Sequence, residues 1–170
     1  MEPKDQIGYY LEVQEQILEN IKFADQKAMV FIVINTSLMG AVYSTKVLPN
    51  GRWWLIAIAL ATMALLALAI WFAVVVIRPR FRDAKTRRPG AGYVDQSRIV
   101  HWESTEAEYT KAIASVDYAT FRDDLAIFVL DQARRDEAKY LWLRRSIAIS
   151  IVGWGLALSF FLLAGFFLVQ

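Results

Sequence analysis

Few side chains in this chain could do chemistry, and their types narrow what that chemistry can be. His101 is the only histidine and cysteine is absent, which excludes disulfides, thiolate metal sites and a cysteine nucleophile. His101 sits between Val100 and Trp102, where a lone histidine reads as a packing or surface residue. Asp123 and Asp124 are neighbours, and adjacent positions on a helix point in diverging directions, a poor geometry for sharing a metal ion. No Ser/His/Asp set, glycine-rich phosphate loop or metal-ligand spacing occurs. The expectation is a protein that is not an enzyme and holds no metal. What remains is basic and aromatic. Asp25 and Lys27 lie in one segment, and Arg134, Arg135, Lys139, Arg144 and Arg145 in another. If the two segments pack side by side, Lys27 and Lys139 stand at similar heights. Two or three basic groups converging beside Trp102 or Tyr140 would suit a small phosphate-bearing ligand with a flat base. Charge-assisted bonds would hold the phosphate, and stacking the base.

The elements that must position these groups are set by three apolar runs. Met29–Leu48, Trp53–Ile77 and Ile147–Val169 each reach or exceed the roughly 20 residues needed to cross a hydrocarbon core. Only Lys46, at the end of the first, is ionised. The spans leave roughly 100 residues of the chain, too few for a sizeable soluble core in addition, so one domain is expected. The start of the chain, Met1-Glu2-Pro3-Lys4-Asp5, is acidic rather than basic then apolar, so the first span is expected to direct insertion itself. Lys4, Lys22 and Lys27 and the fourteen Lys/Arg between Arg78 and Arg145 fall on one side, leaving only Lys46 and Arg52 on the other. The positive-inside rule then places residues 1–28 and 78–146 in the cytoplasm of a multi-pass inner-membrane protein and the C-terminus outside. Trp53, Trp54 and Trp71 suit the interfacial aromatic belt. The cluster Arg78, Arg80, Arg82, Lys85, Arg87 and Arg88 reads as a topology anchor touching anionic head groups. By the same reasoning Asp25 with Lys27, and the basic group ending at Arg145, also read as interfacial anchors.

The spacing predicts an amphipathic stalk helix over 1–28. Ile7, Tyr10/Leu11, Gln14, Ile17/Leu18, Ile21 and Ala24/Ala28 recur at heptad-like intervals, with Glu12, Glu15, Glu19 and Lys22 opposite. Neither proline nor glycine separates it from Met29, so the helix should run unbroken into the span at 29–48. Its apolar stripe needs a partner, either the later cytoplasmic helix or the same arm of another subunit. Pro49-Asn50-Gly51 makes a turn to the second span, 53–77. Residues 78–146 should hold an irregular loop, a short strand at 98–102, a helix capped by Ser104, and a last helix whose N-cap is Asp117. That helix continues at helical period into the third span, 147–169. The expected fold is an all-α membrane protein with three transmembrane helices, two of them extended into the cytoplasm, and a small helix, loop and short-strand insertion.

Within the first span, Asn35, Thr36 and Ser37 place polar groups in mid-membrane, where they should face protein or water. Ser37-x-x-x-Ala41 and Gly40-x-x-x-Ser44 offer close helix contact, as do Gly153-x-x-x-Ala157 and Gly155-x-x-x-Ser159 in the third span. Asn35, Ser37 and Gly40 thus belong either to a packing interface or to a conduit or gate. Assembly of several copies is expected. A constitutive oligomeric scaffold, whose stalk binds a partner, would fit this pattern too.

Ile21-Lys22-Phe23-Ala24-Asp25-Gln26-Lys27-Ala28, followed by Asn35, resembles the membrane effectors of pyrimidine-cyclase antiphage defence, the Pycsar transmembrane effectors. The likeness lies in the Ala-Asp-x-Lys-Ala step at the head of the first span, the span hairpin, and the exit at Arg78-Pro79. It extends to a short strand before a helix pair and to Lys139-Tyr140 leading into the last span. The strand departs from the family pattern, with Val100-His101-Trp102-Glu103 where relatives show an aromatic pair and glycine. The resemblance implies a partner cyclase that makes cyclic CMP or cyclic UMP on infection, and an effector that responds by impairing the membrane, causing abortive infection. It implies no cofactor beyond that activating ligand and no nucleic-acid partner. Transferred to this chain, Lys27, Lys139 and Arg135 would hold the phosphate. Asp25 would orient the ligand or bond its base or ribose, and Trp102, with Tyr140 nearby, would stack on the base.

Overall fold

The structure, a computed structural model, describes residues 3–45, 52–78, 111 and 114–168. Three long helices make up nearly all of it: α1 (Pro3–Ser44), α2 (Trp53–Ile77) and α3 (Tyr118–Leu168). Each contains a stretch long and apolar enough to cross a membrane, so the all-α, three-span expectation holds. No strand occurs among the described residues. The strand expected at 98–102, the helix after Ser104, the Pro49-Asn50-Gly51 turn and the basic cluster from Arg80 to Arg88 lie outside them.

α1 runs for 42 residues without interruption, and α3 for 51. At a rise of 1.5 Å per residue α1 is roughly twice, and α3 roughly two and a half times, as long as a bilayer core is thick. α2, with 25 residues, is long enough to cross with some tilt and little more. The start of α3 is fixed chemically. Asp117 Oδ1 accepts the backbone N–H of Thr120 at 3.0 Å, and its carbonyl accepts the first helical bond, from Phe121 N–H. This is the N-cap read from the sequence. The bonds from Thr120 hold the Asp117 carboxyl below its usual pKa of 3.8. A depressed folded pKa gives stabilisation that is complete above the unfolded value and lost as pH falls through the folded one. Asp117→Ala should therefore remove amide-exchange protection at the first turn of α3 near neutral pH. Acidification well below pH 3.8, through the lowered folded value, should do the same to the unsubstituted chain, and Asp117→Ser should keep most of the protection at both pH values.

The chain divides into two compact units: residues 1–21 with 80–137, and residues 22–79 with 138–170. In the first, Ile17 packs with Leu125 and Val129, and Ile7, Tyr10, Val13, Ile21, Phe121 and Ala133 surround them. The apolar stripe of α1 thus finds its partner in the later helix of the same chain. Arg122 donates to Gln6 Oε1 at 3.5 Å alongside that core.

In the second unit the three helices alternate in direction. Val42, Leu55, Ala59, Phe160 and Ala164 cluster at one end, and Ala24, Ala28, Ala73, Val76 and Leu143 at the other. The buried positions of α2 are Leu55, Ala59, Thr62, Leu66, Ala69, Ala73 and Val76. Those of α3 in this unit are Leu143, Ser146, Ser150, Gly153, Ala157, Phe160 and Ala164. Steps of three and four alternate throughout both sets, the seven-residue repeat that packs helices in a left-handed coil at shallow crossing angles. Most of these residues are small, because lipid supplies no hydrophobic force between helices and close backbone approach must supply dispersion instead. Gly153 shows how close that approach is: a Cβ there would stand 2.9 Å from Leu66 Cδ2.

Candidate functional site

Two polar loci interrupt the apolar seams of the second unit. The first is the ion pair between Asp25 and Lys139, with Nζ donating to Oδ1 at 2.5 Å. Ala24 and Ala28 are fully buried against Ala73, Val76 and Leu143, so α1 and α3 approach closely enough for these side chains to meet. Side-chain exposure is 17% for Lys139 and 33% for Asp25. Water therefore reaches the pair from one side, and an anion could do so too. An ammonium group carries three donors, and Asp25 Oδ1 takes one of them. Tyr140 packs beside this layer.

The other residues expected at the site lie as follows. Lys27 is exposed and points its ammonium at the Phe23 ring, 4.0 Å from the centroid. It thus stands two residues from Asp25 but on the outer side of the helix. Arg135 is half-buried in the first unit. Trp102 lies outside the described residues. Arg144 and Arg145 are exposed, and Arg145 lies 4.7 Å over the Trp142 ring, which itself stacks on Phe72 at 5.5 Å. Such a cation capping a half-buried indole is the arrangement expected where a span meets the head-group layer.

The second locus centres on Asn35, which has no exposed surface. Its Nδ2 donates to Ser150 Oγ at 2.9 Å, and its Oδ1 accepts from Trp154 Nε1 at 2.8 Å. Phe31 stacks on Trp154, with ring centroids 5.7 Å apart and planes within 4°. Two further hydroxyls are satisfied by backbone carbonyls: Ser146 bonds Ala69 O at 2.9 Å, and Thr62 bonds Ile58 O at 2.8 Å. Thr36, Ser37 and Gly40 are exposed, so only Asn35 of the mid-span polar group is buried within the chain. Successive residues advance about 100° around a helix, and three in a row cannot share one face. Ser150 and Trp154 are the functional candidates that sequence reasoning missed. A tryptophan in the middle of a span, away from the interfacial belt, was the available signal, because its N–H needs a partner there.

Chemically, the first locus can exchange one anion for another at a lysine, and the second can hold two spans in a single register. Among the described residues no group of three His, Asp or Glu side chains is placed to hold a metal ion. Against known families, residues 9–168 match the model described as the Pycsar effector protein domain. Neither a curated protein nor a solved structure matches the chain.

Proposed function

The chain belongs to the Pycsar effector family, and we propose that it is the member of its defence system that reads a cyclic pyrimidine nucleotide and impairs the membrane in response. As a transmembrane effector of Pycsar antiphage defence it is a multi-pass membrane protein working with a partner cyclase. The ligand in this reading is cyclic CMP or cyclic UMP, and the membrane is the inner membrane. The distribution of lysine and arginine supports a cytoplasmic N-terminus and a cytoplasmic 78–146 segment, which puts the site on the side where the cyclase product is made.

The observation that carries this reading is the half-buried Asp25–Lys139 pair. A cyclic nucleotide brings one phosphate charge, and that phosphate competes with the Asp25 carboxylate for the Lys139 ammonium. Lys27, two residues from Asp25, adds positive potential, and Tyr140 offers a surface for the base. Exchange of the anion relaxes the tie between α1 and α3 beside the buried alanines, and both helices go on into the span region. The ligand biases the protein only through the difference in its affinity for the two arrangements. Several copies act together, because three uncharged spans give one chain no aqueous path of its own.

The test is ligand-induced stabilisation of the detergent-purified protein with cyclic UMP, cyclic CMP, cyclic AMP and cyclic GMP. One pyrimidine nucleotide at a hundred times its Kd should stabilise the protein by about 2.7 kcal/mol, with no effect from either purine. No shift with any of the four would remove nucleotide sensing from the protein.

A further inference from the structure

The outer faces of α1 and α3 carry features that packing within the chain leaves unused. Gly40 and Gly155 are both exposed, and a Cβ on either would meet no atom within 4 Å. Each is followed four residues later by an exposed serine that bonds back to its carbonyl: Ser44 to Gly40 O at 2.6 Å, and Ser159 to Gly155 O at 2.9 Å. Each face is thus a small-residue stripe whose hydroxyl is already satisfied, suited to dry helix contact. The two stripes also stand at one depth. Asn35 meets Ser150, 115 residues further on, and the same interval carries Gly40 to Gly155 and Ser44 to Ser159.

The first unit repeats this matching by its own contacts. Gln6 meets Arg122 at an interval of 116 residues. Leu11, 50% exposed, lies level with Ile127, 58% exposed, since the same interval separates them. Glu19 lies level with Arg134, within one residue of it. Around Leu11 and Leu18 the α1 face is acidic, with Glu15 and Glu19 exposed and Lys22 one turn on. The α3 face presents Arg134, which also pairs with Asp131 of its own helix at 3.9 Å, beside Ile127 and Leu130 and with Glu137 one turn on.

We propose that copies of this chain associate side by side, the outer face of α1 in one copy against the outer face of α3 in the next. This rests on the reading above that the effector acts as an assembly. A bilayer gives every copy the same orientation and depth, so groups at equal height are the ones that meet. Any two-fold pairing must then turn about the membrane normal. An α1–α1 contact would set Glu19 against Glu19, and an α3–α3 contact Arg134 against Arg134, both repulsive. The α1–α3 contact sets Glu19 against Arg134, Leu11 against Ile127, and glycine against glycine. Such a head-to-tail interface closes into a ring or continues as a chain of copies, and it does not stop at a dimer.

The absence of cysteine makes the test direct. Ser44→Cys and Ser159→Cys are made as separate chains with different tags, expressed alone and together, and oxidised in native membranes with and without cyclic UMP or cyclic CMP. A disulfide-linked mixed dimer, in either ligand state and absent when each variant is alone, is the expected result. One chain carrying both substitutions should give a ladder of higher species. Glu19→Arg should reduce the ladder, and adding Arg134→Glu should restore it. Self-linking of Ser44→Cys alone would overturn the proposal. So would a lack of mixed linkage in a protein that remains oligomeric by native size analysis. A monomer in every state would remove the assembly reading itself, a separate failure from an interface placed elsewhere.

Discussion

Lys139→Met should weaken the response to the activating nucleotide by roughly 10- to 100-fold, the equivalent of one hydrogen bond to a charged group. Insertion and abundance in the membrane should stay as they were. Methionine keeps most of the length of the lysine stem and removes only the ammonium. Asp25 loses its partner, but water already reaches its carboxylate, which is 33% exposed. The stability cost should therefore be about 1–2 kcal/mol, between that of exposed pairs and that of buried ones. Asp25→Asn separates competition from simple support. If the carboxylate holds the ammonium until the phosphate displaces it, removing that charge frees Lys139 and tightens ligand binding by roughly 3- to 10-fold. If Asp25 instead bonds the base or ribose, the same substitution weakens binding, and the competition argument fails. The measurements are nucleotide titrations of the purified variants and the ligand concentration at which growth stops. An unchanged titration for Lys139→Met would take this lysine out of the site.

The parts of the molecule legible in the sequence were those that one helix decides alone. Lipid demands about 20 apolar residues per crossing, so three spans could be counted without knowing how they pack. The absence of proline and glycine between Gly8 and Gly40 left nothing to break α1 at the membrane edge. Asp117 announced the start of α3 because an N-cap acts on the next three residues only. What one sequence does not encode locally is the register between helices. The heptad stripe of α1 was visible, but the later helix and a second copy would cover Ile7, Tyr10 and Ile17 equally well. Only the packing of Leu125 and Val129 on Ile17 distinguishes them. Asn35 was visible as a polar group in a span, whereas its partners lie 115 and 119 residues away. Lys27 and Lys139 were expected to converge, but Lys27 turns to Phe23 and Asp25 takes the lysine of α3. Residues two apart on a helix lie about 200° from each other, so Asp25 and Lys27 could not both face that lysine.

Asn35→Leu should raise toxicity without ligand, because the bonds of Asn35 fix the depth at which α1 meets α3. Leucine branches at Cγ as asparagine does but is the larger residue, so the substitution opens no cavity and any crowding in the seam adds to its cost. It leaves the Trp154 N–H and the Ser150 hydroxyl without their partner in a region that water does not reach. Hydrogen bonds between membrane helices average about 0.6 kcal/mol each and reach about 1.7, so losing two should cost about 1–3 kcal/mol. If the bonds belong to the resting arrangement, that loss shifts the balance between arrangements by roughly 5- to 150-fold toward the active one. A buried asparagine on a heptad seam is a known means of fixing register at a cost in stability. The companion variant Asn35→Leu/Ser150→Ala/Trp154→Phe tests that function separately. It removes the stranded donors, so stability should recover, yet nothing polar then fixes the register and ligand-independent toxicity should persist. Thermal unfolding in detergent and growth without the cyclase give the two readings. Should Asn35→Leu lose stability but keep wild-type silence without ligand, the bonds of Asn35 hold both arrangements equally, and the switch lies in the Asp25–Lys139 layer alone.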